Sequence, residues 1–233
     1  MSIIEMKNVS RSYTVGDHTV NAIEDVSIGL EKGDLIVILG PSGAGKSTLL
    51  NLIGGLDSPT GGSIIVDGTD ISDMKRNELS DYRASKVGFV FQFYNLIPTL
   101  TVYENVALVK DIVDNPLDAD EMLGLVGLAD HGTKFPSQLS GGEQQRASIA
   151  RALAKNPDII LCDEPTGALD SDTGVTILKL LHGMSKERGK TVIIVTHNQN
   201  IAKIADVIVR VKNGRIQSCD RQDDPSDIDE VDW

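Results

Sequence analysis

The chain is short of several things, and each shortage removes a class of protein. Two cysteines in 233 residues, Cys162 and Cys219, give neither a disulfide framework nor the spacing of a metal site. Cys162 lies in a strand-like run and is expected to be a small buried hydrophobe. No stretch approaches the ~18–20 consecutive apolar residues of a membrane-spanning helix. The start, "MSIIEMKNVS", lacks the basic and apolar regions of a signal peptide. The chain is therefore expected in the cytoplasm, with any membrane role arising through a partner. Positive charge is also short: 22 Lys and Arg stand against 34 Asp and Glu, a net charge of −12. That balance speaks against a surface that coats nucleic acid, so no nucleic-acid partner is expected. No internal repeat is visible.

What remains, 40 % hydrophobic and 24 % charged residues, suits one large globular domain or one domain with an insert. The last sixteen residues, "SCDRQDDPSDIDEVDW", hold seven acids and one Arg, half of the net charge. Residues 218–233 thus read as a solvated, disordered acidic tail, dispensable for chemistry unless Trp233 docks it.

Apolar and polar residues alternate through "SIIEMKNVS" and "VNAIEDVSIGL", as in antiparallel strands with one wet face. "LIVIL" at 35–39, "IILCD" at 159–163 and "TVIIVT" at 191–196 are continuous apolar runs suited to strands covered on both faces. Leu49, Leu50, Ile53 and Leu56 recur at helical spacing after the first of these, and Val175, Leu178 and Leu181 mark a helix that begins at "SDTG". "DVIVRVKNGRI" reads as a hairpin with Asn213-Gly214 as its turn. A mostly helical stretch interrupts the strand–helix alternation, an insert of about 93–155. The expected fold is α/β: a parallel-sheet core, antiparallel strands and an inserted helical subdomain.

Gly40, Gly43, Gly45, Lys46 and Ser47 fit G-x-x-x-x-G-K-[ST] between a buried strand and a helix. Such a loop, here Gly40, Pro41, Ser42, Gly43, Ala44, Gly45, Lys46, Ser47 and Thr48, turns its N–H groups inward on a phosphate. Lys46 would reach the β- and γ-phosphates, and Ser47 would offer a hydroxyl to Mg²⁺. The loop lacks G-x-G-x-x-G spacing, which excludes a dinucleotide fingerprint and leaves a nucleoside triphosphate. "IILCDEP" closes a strand with Asp163, a candidate Mg²⁺ ligand, and Glu164, a candidate base for the attacking water. His197, also just past a buried strand, fits either a surface helix cap or a donor to the γ-phosphate. His18, His131 and His182 read as ordinary surface residues. A second glycine-bearing motif, "LSGGEQQR" at 139–146, has Ser140 as a natural helix cap, Glu143 as its capping-box partner, and Gly141 and Gly142 open to a phosphate.

"GPSGAGKST", Gln92, "LSGGEQQR", "IILCDEP", "ALD" at 168–170 and Thr196-His197 occur in the order and spacing of the ATP-binding subunits of ABC transporters. The resemblance covers about residues 1–217. It implies the ABC ATPase cassette: a P-loop NTPase core with an antiparallel β subdomain and a helical subdomain. It also implies ATP and Mg²⁺ as cofactors, and a second copy of the chain as partner. Two subunits then sandwich two ATP molecules, each phosphate loop facing the other's signature, and ATP hydrolysis powers a separately encoded membrane permease. The resemblance gives Tyr13 the adenine stack, although it is otherwise an ordinary strand aromatic. It gives Gln92 the sensing of Mg²⁺ and the attacking water, Asp170 the link between the two sites, and His197 the phosphate contact. Tyr94, Leu96 and Ile97 become the permease contacts, which would place the chain on the cytoplasmic face of the cell membrane.

"GFVFQFYNLIPTLTVYENV" and "DEPTGALDSDTG" resemble the subgroup serving macrolide exporters, lipoprotein-release complexes and antimicrobial-peptide resistance. That implies export or extraction of a peptide, lipoprotein or drug-like substrate. The helical subdomain is shorter than in many of that subgroup, by about one turn or more. Two alternatives carry the same motifs: a regulatory ATPase that transmits a signal without transport, and a soluble non-transport ABC protein.

Overall fold

The computed structural model describes residues 2–167 and 169–231. The alternating first segment forms a long hairpin, β1 (Ser2–Val15) and β2 (His18–Glu31), whose inward positions include Ile4, Met6, Ile23 and Leu30. The first apolar run is β3 (Leu35–Leu39), and α1 (Lys46–Ile53) follows the glycine loop. Then come β4 (Gly61–Val66), β5 (Thr69–Asp70), α2 (Arg76–Lys86) and β6 (Val87–Val90). Next are the helices α3 (Val102–Ala107), α4 (Ala119–Leu125) and α5 (Gly141–Ala154). The chain closes with β7 (Ile159–Asp163), α6 (Ser171–Lys186), β8 (Thr191–Thr196), β9 (Val207–Lys212) and β10 (Arg215–Arg221).

Two sheets result. One is antiparallel, in the order β2-β1-β4-β5; the other runs β10-β9-β3-β8-β7-β6, parallel from β9 to β6 with β10 antiparallel at the edge. The larger sheet divides two apolar cores, and β3 serves both. Leu35, Val37 and Leu39 face the helices of the insert and α6, whereas Ile36 and Ile38 face α1 and the antiparallel sheet. The predicted Asn213-Gly214 turn is there, both residues at positive φ (50° and 73°), as a two-residue hairpin of this hand requires. Its Gly214 N–H donates to Ala44 O at 2.9 Å, so the hairpin end braces the phosphate loop.

Three expectations need correction. Leu56 lies beyond α1 and is 45 % exposed, because Gly54 and Gly55, the latter at φ 64°, end the helix. A side chain at Gly54 would come within 2.0 Å of the Phe89 ring. Elements β4 to β6 and α2 carry no sequence signal of their own: β5 has two residues, and α2 buries only Leu79 and Tyr82. The third correction concerns the tail. β10 runs on to Arg221, which pairs with Asp34, and the Gln222 side chain donates to Ala202 O at 2.9 Å and to Ala205 O. Ser226 N–H donates to Lys203 O at 2.9 Å, Lys179 pairs with Asp229, and Ile228 and Val231 join the core beside α6. Composition averaged over the tail hides this, because two apolar residues three apart suffice to seat it while the acids point outward. Trp233 lies outside the described residues.

Burying Ile228 and Val231 is worth about 1.5–3 kcal/mol for each fully buried side chain. A chain ended after Gln217 is therefore expected to melt about 5–10 °C lower than the full chain, read by circular dichroism. An unchanged melting temperature would return residues 218–231 to the status of a solvated appendage. Because the tail carries none of the phosphate-binding motifs, the ATPase rate measured well below the lowered melting point should stay within about twofold.

Candidate active site

Strand register brings the site together. β3, β8 and β7 are parallel neighbours, with Leu39 opposite Thr196 and Asp163 opposite Val195. The residues just past each strand end, Gly40, His197 and Glu164, therefore emerge side by side at the carboxyl edge of the sheet, where ligands bind in open parallel sheets. Glu164 and His197 border a cleft of about 840 Å³ lined also by Ser42 to Thr48, Gln92 and Asp163, with Val20, Asn21, Ala22 and Gly214 from the hairpins. Gly40 and Pro41 line a neighbouring pocket with His197 and Val211. A side chain at Gly40 would meet Val211 O at 2.2 Å, which explains the glycine there.

Within the loop, Gly45 caps α1 at φ 102°. Lys46, only 9 % exposed, folds back to donate to Gly40 O at 2.8 Å and Pro41 O at 3.0 Å. Ser47 Oγ donates to Asp163 Oδ1 at 3.2 Å. Burial raises the Asp163 carboxyl above its ordinary range and Glu164 adds to this, while the Ser47 hydroxyl and Lys46 pull it back. Glu164 stands in left-handed backbone, φ 49°, unusual for a residue with a long side chain. Its amide donates to Val195 O at 3.0 Å, Oε2 accepts from Thr196 Oγ1 at 3.3 Å, and Oε1 lies 2.9 Å from His197 Nδ1. The glutamate side chain is 16 % exposed and the histidine 74 %. Thus a shielded carboxylate meets an exposed imidazole on the wall of the cleft.

The signature residues are elsewhere. Ser140 caps α5, its Oγ accepting from Glu143 N–H at 3.3 Å while Glu143 Oε2 accepts from Ser140 N–H at 2.7 Å. These bonds hold the Glu143 carboxyl below its ordinary range. Its other oxygen lies 3.0 Å from His131 Nε2, so His131 is a bracket for the signature and not the ordinary surface residue expected. Spacing alone could not show this, since His131 and Glu143 sit on different elements. His182 is also partly buried, and desolvation lowers its pKa. Neither Ser140, Gly141, Gly142 nor Glu143 lines the phosphate-loop cleft among the described residues.

Asp170 caps α6, its Oδ1 accepting from Thr173 N–H at 2.9 Å, which holds its carboxyl low. Ala168, the first residue of "ALD", lies outside the described residues. Tyr13 is not brought into the cleft. It lies across the β1–β2 ladder from Val20, its hydroxyl donating to Asp57 at 2.6 Å, with the Arg11 guanidinium 4.6 Å from its ring centroid. Of the expected partner contacts, Ile97 is 41 % exposed, but Leu96 packs on the core and the Tyr94 hydroxyl lies against Gly141. Phe93, 78 % exposed, is the large apolar residue missed there; its neighbours in sequence gave no reason to single it out. Cys162 is fully buried as expected, and its thiol pKa is pushed up by burial.

The profile of the ABC transporter family matches residues 23–167, and the chain belongs to that family. It is an ABC ATPase cassette. It is 43 % identical over 99 % of its length to a putative ABC transporter ATP-binding protein of Mycoplasma pneumoniae, of which it spans 50 %. It is 47 % identical over 93 % of its length to the macrolide export ATP-binding/permease protein MacB of Mannheimia succiniciproducens, spanning 34 % of that protein. An uncharacterized ABC transporter ATP-binding protein of Methanocaldococcus jannaschii is 44 % identical, covering 92 % of this chain and 95 % of its own. Among solved structures, a dimeric post-hydrolysis ATP-binding cassette bound to ADP and phosphate superposes with a TM-score of 0.88 at 42 % identity, over 94 % of this chain and 98 % of that one.

Proposed function

We propose that two copies of this chain close around two ATP molecules, hydrolyse them, and thereby drive an integral membrane permease from the cytoplasmic face of the membrane. One observation carries the reading: the phosphate loop, Asp163, Glu164 and His197 share a cleft, while Ser140, Gly141 and Gly142 sit outside it on a capped helix start. A second copy turned about a two-fold axis supplies the missing signature. The dimeric cassette with ADP and phosphate, similar over nearly the whole chain, supports this.

In the closed dimer Lys46 exchanges the carbonyls of Gly40 and Pro41 for phosphate oxygens. The Ser47 hydroxyl beside the Asp163 carboxylate, with Gln92 on the same cleft, suits Mg²⁺, which takes few protein oxygens and completes its shell with phosphate and water. When bound, the ion neutralises charge developing on the phosphates. Glu164 takes the proton of the attacking water, His197 orients Glu164 and donates to the γ-phosphate, and Asp170 faces the partner's site. Val20, exposed on the cleft wall, offers the apolar edge for adenine. No helix among the described residues is long and apolar enough to cross a membrane. The permease contact lies on the exposed surface that follows Gln92. Phe93 and Ile97 present it, with Tyr94 and Leu96 behind them. The likeness to a protein named for macrolide export favours export or extraction of a peptide, lipoprotein or drug-like molecule.

In cell fractionation, the tagged chain is expected to sediment with membranes and copurify with one integral membrane protein. Phe93→Asp with Ile97→Asp should release at least about tenfold more of it to the soluble fraction, since two buried anchors typically supply over 1.4 kcal/mol. A chain wholly soluble before substitution would overturn the transporter reading.

A further inference from the structure

Gln145 lies one turn beyond the signature glycines on α5 and is 2 % exposed. Its side-chain nitrogen donates to Pro165 O at 3.1 Å and, more weakly, to Phe91 O at 3.5 Å. Pro165 follows Glu164, and Phe91 precedes Gln92. One amide thus bridges the peptide that joins Phe91 to Gln92 and the carbonyl of the residue that follows Glu164. The two carbonyls fix its orientation, because a flipped amide would set oxygen against oxygen. The side-chain oxygen then points into the protein, buried, with no partner among the described residues.

Packing alone does not explain this residue. An unmatched buried acceptor costs about 1–3 kcal/mol, and Leu or Met, though similar in volume, would move that cost to the Pro165 carbonyl that the amide now satisfies. Further along α5, Arg151 donates to Asn95 O at 2.8 Å and Tyr94 O at 3.3 Å, and the Tyr94 hydroxyl covers Gly141. The loop carrying Gln92 is therefore fastened to α5 at three places, at Phe91, Tyr94 and Asn95. The Pro165 bond adds the strand end that carries Glu164. At its far end α5 is anchored by Lys155, which donates to Val87 O at 2.7 Å and to Arg83 O at 2.5 Å.

We propose that Gln145 is a positioning residue that makes the two ATP sites cooperative: nucleotide gripped by one subunit's signature shifts α5, and Gln145 passes that shift to Gln92 and Glu164 of the same subunit, which serve the other nucleotide. This rests on the shared-site dimer proposed above. It explains why the amide reaches both loops.

The test follows ATPase rate against ATP concentration for the full chain, Gln145→Leu, and Gln145→Asn, an amide too short to span both carbonyls. The parent is expected to be sigmoidal, with a Hill coefficient above about 1.5, and both variants to fall to about 1. Maximal rate should drop about tenfold, the equivalent of one positioned hydrogen bond. Fluorescent ATP-analogue binding to the monomer should stay within about twofold, and ATP-dependent dimers should still form when Glu164→Gln is added. Unchanged Hill coefficients in both variants, whatever their melting temperatures, would overturn the proposal and leave Gln145 a packing residue. If Glu164→Gln alone forms no dimer, the shared-site reading fails and this proposal with it. If only the combined variants fail to dimerise, Gln145 acts in closure and the proposed relay to Glu164 is wrong.

Discussion

Glu164→Gln is expected to lower ATP turnover by ~10²-fold or more while ATP binding persists, because the amide keeps the shape of the site but cannot accept the proton of the attacking water. Gln can still accept a hydrogen bond from Thr196 Oγ1 (3.3 Å for Glu164) and meet His197 Nδ1 (2.9 Å). It also tolerates the left-handed backbone at φ 49° no worse than Glu does, so the fold should be unaffected. Closure then proceeds without the hydrolysis that reopens the dimer, and a species of twice the monomer mass should accumulate with Mg-ATP. Size-exclusion chromatography reads this directly. A monomer with near-normal turnover would remove Glu164 from the chemistry.

Damage to the two phosphate-binding motifs should complement across chains. Lys46→Ala removes the cation folded within the phosphate loop, and Ser140→Arg replaces the cap whose Oγ accepts from Glu143 N–H. Homodimers of either variant have two defective sites. A mixed dimer has one site with both defects and one with neither. Mixing is therefore expected to raise ATP-dependent crosslinking between differently tagged chains, with Glu164→Gln in both to hold them closed, from near background to at least a few-fold above it. A site completed within one chain predicts no gain. Tethering a single-defect cassette to a wild-type one checks whether closure needs two competent sites, since that pair keeps one intact shared site and one damaged one, and closes only if one suffices.

The parts of this molecule that were legible in advance are those where one residue type dictates local geometry. The phosphate loop, the buried runs and the Asn213-Gly214 turn are of this kind, as is the cap at Ser140. What escaped notice depends on pairs remote in sequence. Nothing near His131 announces that its ring will meet Glu143, nor near Gln145 that it will bridge Phe91 and Pro165. The seat of the tail depends on the complementary surface of α6, which no property of residues 218–231 could disclose. Tyr13 shows the converse: the resemblance assigns it a ligand, while its local partners in the structure are Asp57 and Arg11.

β3 has no wet face, since its five side chains are divided between two cores and none is more than 7 % exposed. Even an Ile-to-Val exchange there costs about 0.5–1.5 kcal/mol, and a charge far more. The strand therefore offers no place for a reporter group, a surface charge or neutral sequence drift. β1 and β2, with outward positions along their length, can absorb such changes. An engineer wishing to follow the phosphate loop must attach the label across the cleft, on β2 or the β9–β10 turn, and never on the strand that carries the loop.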